Sequence, residues 1–139
     1  MDANLPRPYQ EVEHTADVAL RVWGAAQPEL FANAALGLAE LMADEHGPDL
    51  ETWYDVALDA PDMETLLVDW LNALIYLGEI HGCILDRFAF IALTPNSLQA
   101  RVTGHRIRRP KKAIKAATFH NLEIERAANG LSVTVVFDV

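Results

Sequence analysis

The sequence has little of what disulfide frameworks and membrane anchors require. It contains one cysteine, Cys83, which cannot form an internal disulfide, and the apolar residues Ile84 and Leu85 beside it indicate a buried thiol. The first residues carry neither the basic nor the apolar segment of a secretory leader, and no apolar run is long enough to cross a bilayer. We therefore expect a cytoplasmic protein that does not act at membranes.

Motifs of self-sufficient catalysis are also lacking. No glycine-rich loop precedes a helix, no Cys-x-x-Cys or His-x-x-x-His pair occurs, and no serine lies in a nucleophile elbow. The net charge of −9 disfavours binding to DNA or other polyanions through bulk electrostatics. These absences favour an accessory factor over an enzyme.

The sequence does contain enough apolar residues for one core, 51% of 139 residues. Apolar spacings of three and four predict a helix over 27–42 and a second from the capping stretch 59–62 to about Leu77. Alternating or apolar runs flanked by turn residues predict strands at 9–12, 18–23, 50–58, 88–93, 98–102, 118–126 and 131–139. We predict an α+β fold: a single compact domain over 1–139, with a largely antiparallel sheet and two helices packed on one face.

Two aspartates lie at the ends of predicted strands. Asp17 closes the polar stretch Glu13-His14-Thr15-Ala16-Asp17, and Asp138 is the only acid of the last strand, followed by Val139 and its α-carboxylate. If these strands meet, the carboxylates converge on one hard cation. Two carboxylates about 4 Å apart repel by roughly 4 kcal/mol at a surface-like dielectric, so a cation lies between them or one is protonated. Oxygen ligands suit calcium, magnesium or manganese.

Each candidate site residue has a plainer interpretation. Asp17 would cap a turn and Asp138 would be a solvated residue. His14 would be an ordinary turn histidine bonded to a carbonyl. Lys115 and His120 stand five apart, so in an extended segment they would lie on opposite faces and would not act as a pair.

Positive charge is concentrated in one segment. Seven of the eleven basic residues fall between Arg101 and Lys115, and this segment contains no acid. One interpretation is a solvated loop on an acidic protein. The other is a local contact for phosphate, RNA or an acidic partner surface.

Four segments, in order along the chain, resemble the motifs of the archease family. They are 13–17 leading into Val22-Trp23-Gly24, the helix LLVDWLNALIY at 66–76, the lysine-to-histidine segment IKAATFHNL at 114–122, and the terminal VVFDV at 135–139. The similarity covers nearly the whole chain. It implies a compact α+β fold and an activator of the RtcB-type RNA ligase, which joins RNA 3'-phosphate or 2',3'-cyclic phosphate ends to 5'-hydroxyl ends in tRNA splicing and RNA repair.

The resemblance also implies how the site works. Such activators promote guanylylation of the ligase and multiple turnover without ligating RNA, so RNA and GTP are reached through the ligase. By motif position Asp17 and Asp138 bind the metal, calcium before magnesium or manganese, with the main chain or carboxylate of Val139 as an extra ligand. The candidate contacts for the partner or the nucleotide are His14, Lys115, His120, Arg108 and Arg109.

One segment departs from the family pattern. Between Gly104 and Lys115 the family shows an acid after the glycine and a longer loop of mixed charge, whereas this stretch is short and wholly basic. This departure leaves the aspartate pair untouched. Two other functions stay open. One is a small metal-dependent phosphohydrolase in which the same aspartates position a water. The other is a chaperone-like binding adaptor whose contact is supplied by 106–115.

Overall fold

Two antiparallel sheets and two helices form the fold of this computed structural model, which describes residues 7–13 and 17–139. Within these residues the elements, in chain order, are β1 (Tyr9–Glu13), β2 (Asp17–Gly24), α1 (Gln27–Met42), β3 (Ala43–Asp49), β4 (Tyr54–Asp59), α2 (Met63–His81), β5 (Cys83–Leu93), β6 (Ser97–Pro110), β7 (Ala116–Thr118), β8 (Glu125–Ala127) and β9 (Gly130–Asp138). The described part of the chain has no helix with the length and apolar composition of a bilayer crossing.

The strands divide between two sheets. The first has the order β1-β2-β9-β7, with β8 also paired to β9, and the second has β3-β6-β4, with β5 also paired to β6. Every pairing is antiparallel. The α+β prediction is confirmed, although the single predicted sheet is in fact two. Both helices contact strands of both sheets.

Trp70 of α2 joins the helices to the second sheet. Its side chain is fully buried, and its Nε1–H donates to the carbonyl oxygen of Phe31 on α1 at 3.0 Å. Its ring meets those of Phe88 and Phe90 on β5 at centroid distances of 5.7 and 5.4 Å. An aromatic side chain buries about 150–250 Å², worth roughly 4–6 kcal/mol at about 25 cal/mol per Å². This contact therefore ties both helices to β5 within the core.

The second helix begins where predicted and ends later. Asp62 caps it, because its Oδ1 accepts from the Thr65 N–H at 2.7 Å. The helix continues four residues past the predicted end at Leu77, to His81. Gly78 lies inside the helix, and the chain leaves it at Gly82, whose φ of 64° is left-handed.

Two predicted loops are strands. Residues 44–49 belong to β3, and the basic segment continues β6 as far as Pro110, so the contact predicted from a basic loop at Arg108 and Arg109 would come from a strand. The two segments pair with each other, and Glu45 faces Arg109 with an Oε1–Nη2 distance of 3.1 Å. Neither segment has an apolar alternation. Asp49 also lies opposite His105, so part of the pairing is between oppositely charged or polar side chains.

Two predicted strands are shorter than expected. Residues 50–53 precede β4 and are not a strand. The predicted strand at 118–126 is interrupted after β7 by a turn in which Asn121 has a φ of 51°, and pairing with β9 resumes only at β8.

A side-chain amide of α2 holds the edge strand β7. Asn72 is partly buried, its Nδ2 donates to the Ala117 carbonyl at 3.3 Å, and its Oδ1 accepts from the Ala117 N–H at 2.8 Å. The amide therefore satisfies both main-chain groups on the side of β7 that faces away from β9.

We expect Asn72→Ala to lower the free energy of unfolding by about 1–3 kcal/mol, because a partly buried N–H loses its acceptor. Asn33→Ala is the matched control, since Asn33 is also helical and donates one exposed bond to the Trp23 carbonyl at 2.7 Å. Both substitutions gain the same helix propensity, so their difference in urea unfolding isolates the β7 contact. Equal losses in the two variants would show that Asn72 does not hold β7.

Tyr9 links β1 to α1. Its hydroxyl donates to the Glu40 carboxylate. Burial of the phenol, and to a smaller extent this hydrogen bond, raise the pKa of Tyr9 from 10.0 to about 12. A folded pKa above the unfolded one means that the folded state holds the phenol proton more tightly. The contribution to stability is complete below pH 10 and is lost as the pH approaches 12.

We expect the free energy of unfolding of the wild type to fall more steeply between pH 10 and about 12 than that of Tyr9→Phe, as followed by urea titration. Tyr76→Phe is the control, because Tyr76 is 62% exposed. If Tyr9→Phe and wild type show the same slope, the link between β1 and α1 does not depend on this proton.

Candidate metal centre

The two aspartates predicted to bind a cation are cross-strand neighbours. Asp17 is the first residue of β2, Asp138 is the last residue of β9, and they are register partners in the β2–β9 ladder. Directly opposed residues of an antiparallel pair project to the same face, with Cβ atoms about 4.5–5.5 Å apart. The structure thus brings the two residues together at one end of the first sheet.

The pair lies on the face of this sheet that points away from the core. Val18 and Leu20 of β2, and Val135 and Phe137 of β9, belong to the core cluster. The aspartates have the opposite parity and therefore project to the other side. Asp17 is partly buried and Asp138 is exposed, so a cation or a partner protein can reach them.

The main chain of Lys115 lies beside this aspartate pair. Ala116 is the register partner of Asp138 on the other side of β9, and the Lys115 N–H donates to the Asp138 carbonyl at 2.8 Å. The Lys115 side chain is exposed. The β7 strand therefore fixes the backbone of Lys115 beside Asp138.

His120 lies just beyond β7 and is exposed. Its N–H donates to Thr118 Oγ1 at 3.3 Å, and Thr118 Oγ1 donates to the Val136 carbonyl at 3.0 Å. The Nε2 of His120 lies 3.3 Å from the side-chain Nδ2 of Asn121. Because the chain turns after Thr118, the argument from alternation that separated Lys115 and His120 does not apply beyond β7.

The remaining predicted residues fall in three places. His14 lies outside the described residues. Val139 follows β9 directly and is 46% exposed. Arg108 and Arg109 lie on β6 of the second sheet, so they do not share a sheet with the aspartates, and Arg109 is paired with Glu45.

The donor set at the aspartates fits a hard divalent cation. Carboxylate oxygens from two adjacent strands suit calcium, magnesium or manganese, and not the nitrogen- and sulfur-binding metals. The β2–β9 ladder holds both backbones, so the two aspartates stay on the same face of the sheet. The sequence prediction did not include Asn72, which holds β7 beside this pair. The signal was an amide in the mostly apolar helical stretch 66–76.

Comparison with known proteins gives a consistent result. The family model described as the Archease protein family (MTH1598/TM1083) matches residues 9–139. Protein archease of Methanosarcina mazei is 34% identical over 94% of this chain and 95% of its own length. Protein archease of Saccharolobus islandicus is 31% identical over 96% of this chain and 99% of its own length.

Solved structures agree on the fold. The solution structure of Methanobacterium thermoautotrophicum protein 1598 covers 96% of this chain and 100% of its own, with a TM-score of 0.73 and 23% identity. The crystal structure of a Thermotoga maritima archease, titled a possible chaperone, covers 94% of this chain and 96% of its own, with a TM-score of 0.64 and 26% identity. The family match over 9–139 and the relatives above 30% identity show that this chain belongs to the archease family.

Proposed function

We propose that this protein activates an RtcB-type RNA ligase and that it does so through a divalent cation held by Asp17 and Asp138. The observation that carries the proposal is the register of β2 and β9, which sets these two carboxylate-bearing residues opposite each other on an accessible face. Membership of the archease family supports the choice of partner.

The residues of this chain have a supporting part in the proposed reaction. The nucleophile is a histidine of the ligase, which attacks the α-phosphate of GTP, and this protein ligates no RNA itself. When bound, calcium or a similar cation supplies positive charge where negative charge develops on phosphate oxygens. Asp17 and Asp138 provide the carboxylate oxygens, and Val139 provides a further oxygen.

Charged residues around the pair would contact the ligase or the nucleotide. Lys115 is exposed, and its main chain is bonded to Asp138, so its ammonium group can reach a phosphate or an acid near the cation. His120 is exposed at the other end of β7. The Asn72 contact would preserve this arrangement by keeping β7 in place.

A second candidate function is a binding adaptor that contacts its partner through β6. Arg106, Arg108 and Arg109 are exposed along this strand, and a solved relative is titled a possible chaperone. In that case the acidic partner surface would meet the second sheet. The aspartate pair would then be dispensable.

We expect Asp17→Asn and Asp138→Asn each to reduce stimulated guanylylation of the ligase by roughly 100-fold or more, because the amide cannot replace the charged ligand. The measurement is transfer of labelled GTP to the ligase from the same source, with and without this protein. Asp55→Asn is the matched control, since Asp55 is an exposed strand aspartate of the second sheet, 3.3 Å from Arg101.

Three outcomes would contradict the proposed activation through a metal held by Asp17 and Asp138. Normal stimulation by both variants removes the metal-centred mechanism. Loss of stimulation in Arg108→Glu, with Asp17→Asn intact, favours the adaptor. Phosphate release from GTP by this protein alone, abolished in Asp17→Asn, identifies a metal-dependent phosphohydrolase instead.

A further inference from the structure

A second group of metal-binding side chains lies on the other sheet. His46 of β3, Asp86 of β5 and His105 of β6 each offer one ligand atom, and these atoms lie within 4.8 Å of one another. His46 is exposed, and the other two are partly buried. The proposed activator function uses none of these residues.

A distortion in β5 places Asp86 in this group. The register between β5 and β6 shifts between Leu85 and Arg87, which makes Asp86 a bulge residue. Gly104 lies opposite Leu85, and a Cβ on Gly104 would lie 2.0 Å from the Ile84 carbonyl oxygen. Glycine at 104 therefore permits the close strand approach at the bulge. Bulges re-aim side chains and are common beside functional sites.

A second distortion places His46. The register between β3 and β6 shifts on both sides of His46. The next residue, Gly47, also lies close to β6, since a Cβ there would come within 2.9 Å of the Arg106 carbonyl oxygen. The two irregular stretches of the second sheet thus converge on one cluster.

One oxygen of the Asp86 carboxylate lacks a hydrogen-bond partner among the described residues. Its Oδ2 lies 3.0 Å from His105 Nδ1, but its Oδ1 is buried and has no hydrogen-bond partner among the described residues. A buried carboxylate oxygen without a hydrogen-bond partner destabilises the folded state. A cation at this position would remove that destabilisation.

The surroundings of His105 also match a metal ligand. Its Nε2 lies 3.0 Å from Asp49 Oδ1, and its ring stacks on that of His46 at a centroid distance of 5.0 Å. A metal on Nδ1 leaves the Nε2–H to donate to Asp49. This carboxylate–histidine arrangement orients most histidine ligands of metals. Arg87 holds the other oxygen of Asp49 at 3.6 Å.

We propose that His46, Asp86 and His105 form a second metal site, which takes a borderline transition-metal ion, zinc before nickel or cobalt. Two imidazole nitrogens and one carboxylate suit these ions and not calcium. Ligand atoms about 2.1 Å from a tetrahedral ion lie roughly 3.4 Å apart, so closure requires side-chain movements of about 1 Å. Three protein ligands leave one position for water or for a group of a partner.

The test is a calorimetric titration of the metal-free full chain with Zn²⁺ in excess Ca²⁺. We expect one Zn²⁺ to bind at this site, and we expect His46→Gln and Asp86→Asn each to weaken its binding by roughly 100-fold or more. His81→Gln is the matched control, because His81 is an exposed histidine stacked on Tyr54 and outside the cluster. His46 is exposed, so its variant tests the site even if Asp86→Asn does not fold.

A spectroscopic readout identifies the ligands directly. In long-range nitrogen–proton spectra of the imidazoles, Zn²⁺ should shift the ring nitrogens of His46 and His105 and leave those of His81 unchanged. The proposal is overturned if the wild type binds no Zn²⁺ at micromolar concentration, or if binding is unchanged in both ligand variants. An equal loss in His81→Gln would indicate unspecific histidine coordination and would also overturn it.

Discussion

The pairing of β2 with β9 forms the middle of the first sheet and sets the position of the aspartate pair. It joins the start and the end of the described chain over eight register partners, from Asp17 opposite Asp138 to Gly24 opposite Leu131. The intervening core residues fix this register, because a slip of one residue would turn the buried valines toward solvent. The opposition of the two aspartates is therefore a consequence of core burial, which holds the like charges together.

Charge is distributed unevenly between the two sheets. The first sheet ends in the aspartate pair, whose oxygen-only donors suit a hard cation. The second carries the exposed arginines of β6 and the mixed cluster around His105, whose nitrogen ligands suit a softer ion. The two proposed sites therefore differ in ligand chemistry, and each lies where neighbouring strands converge.

Local pattern was sufficient for part of this structure. The apolar stripes of α1 and α2, and the alternation in β2 and β9, predicted these elements. The positions of Asp17 and Asp138 at the ends of β2 and β9 match the register that brings them together. Local pattern was not sufficient where a strand or a bulge depends on residues that are distant in the sequence. Residues 44–49 and 105–110 have no apolar alternation, although Glu45 lies opposite Arg109 and Asp49 opposite His105. The bulge at Asp86 lies beside Gly104 of the neighbouring strand.

The proposed activation requires that Asp17 and Asp138 together hold a divalent cation. Addition of Ca²⁺ to the nitrogen-labelled, metal-free protein, followed by amide NMR spectroscopy, tests it most directly. The structure predicts that the largest shifts occur at Asp17, Asp138 and Lys115, since Lys115 donates its N–H to the Asp138 carbonyl. Shifts confined to other residues, or no shift at millimolar Ca²⁺, would contradict the claim.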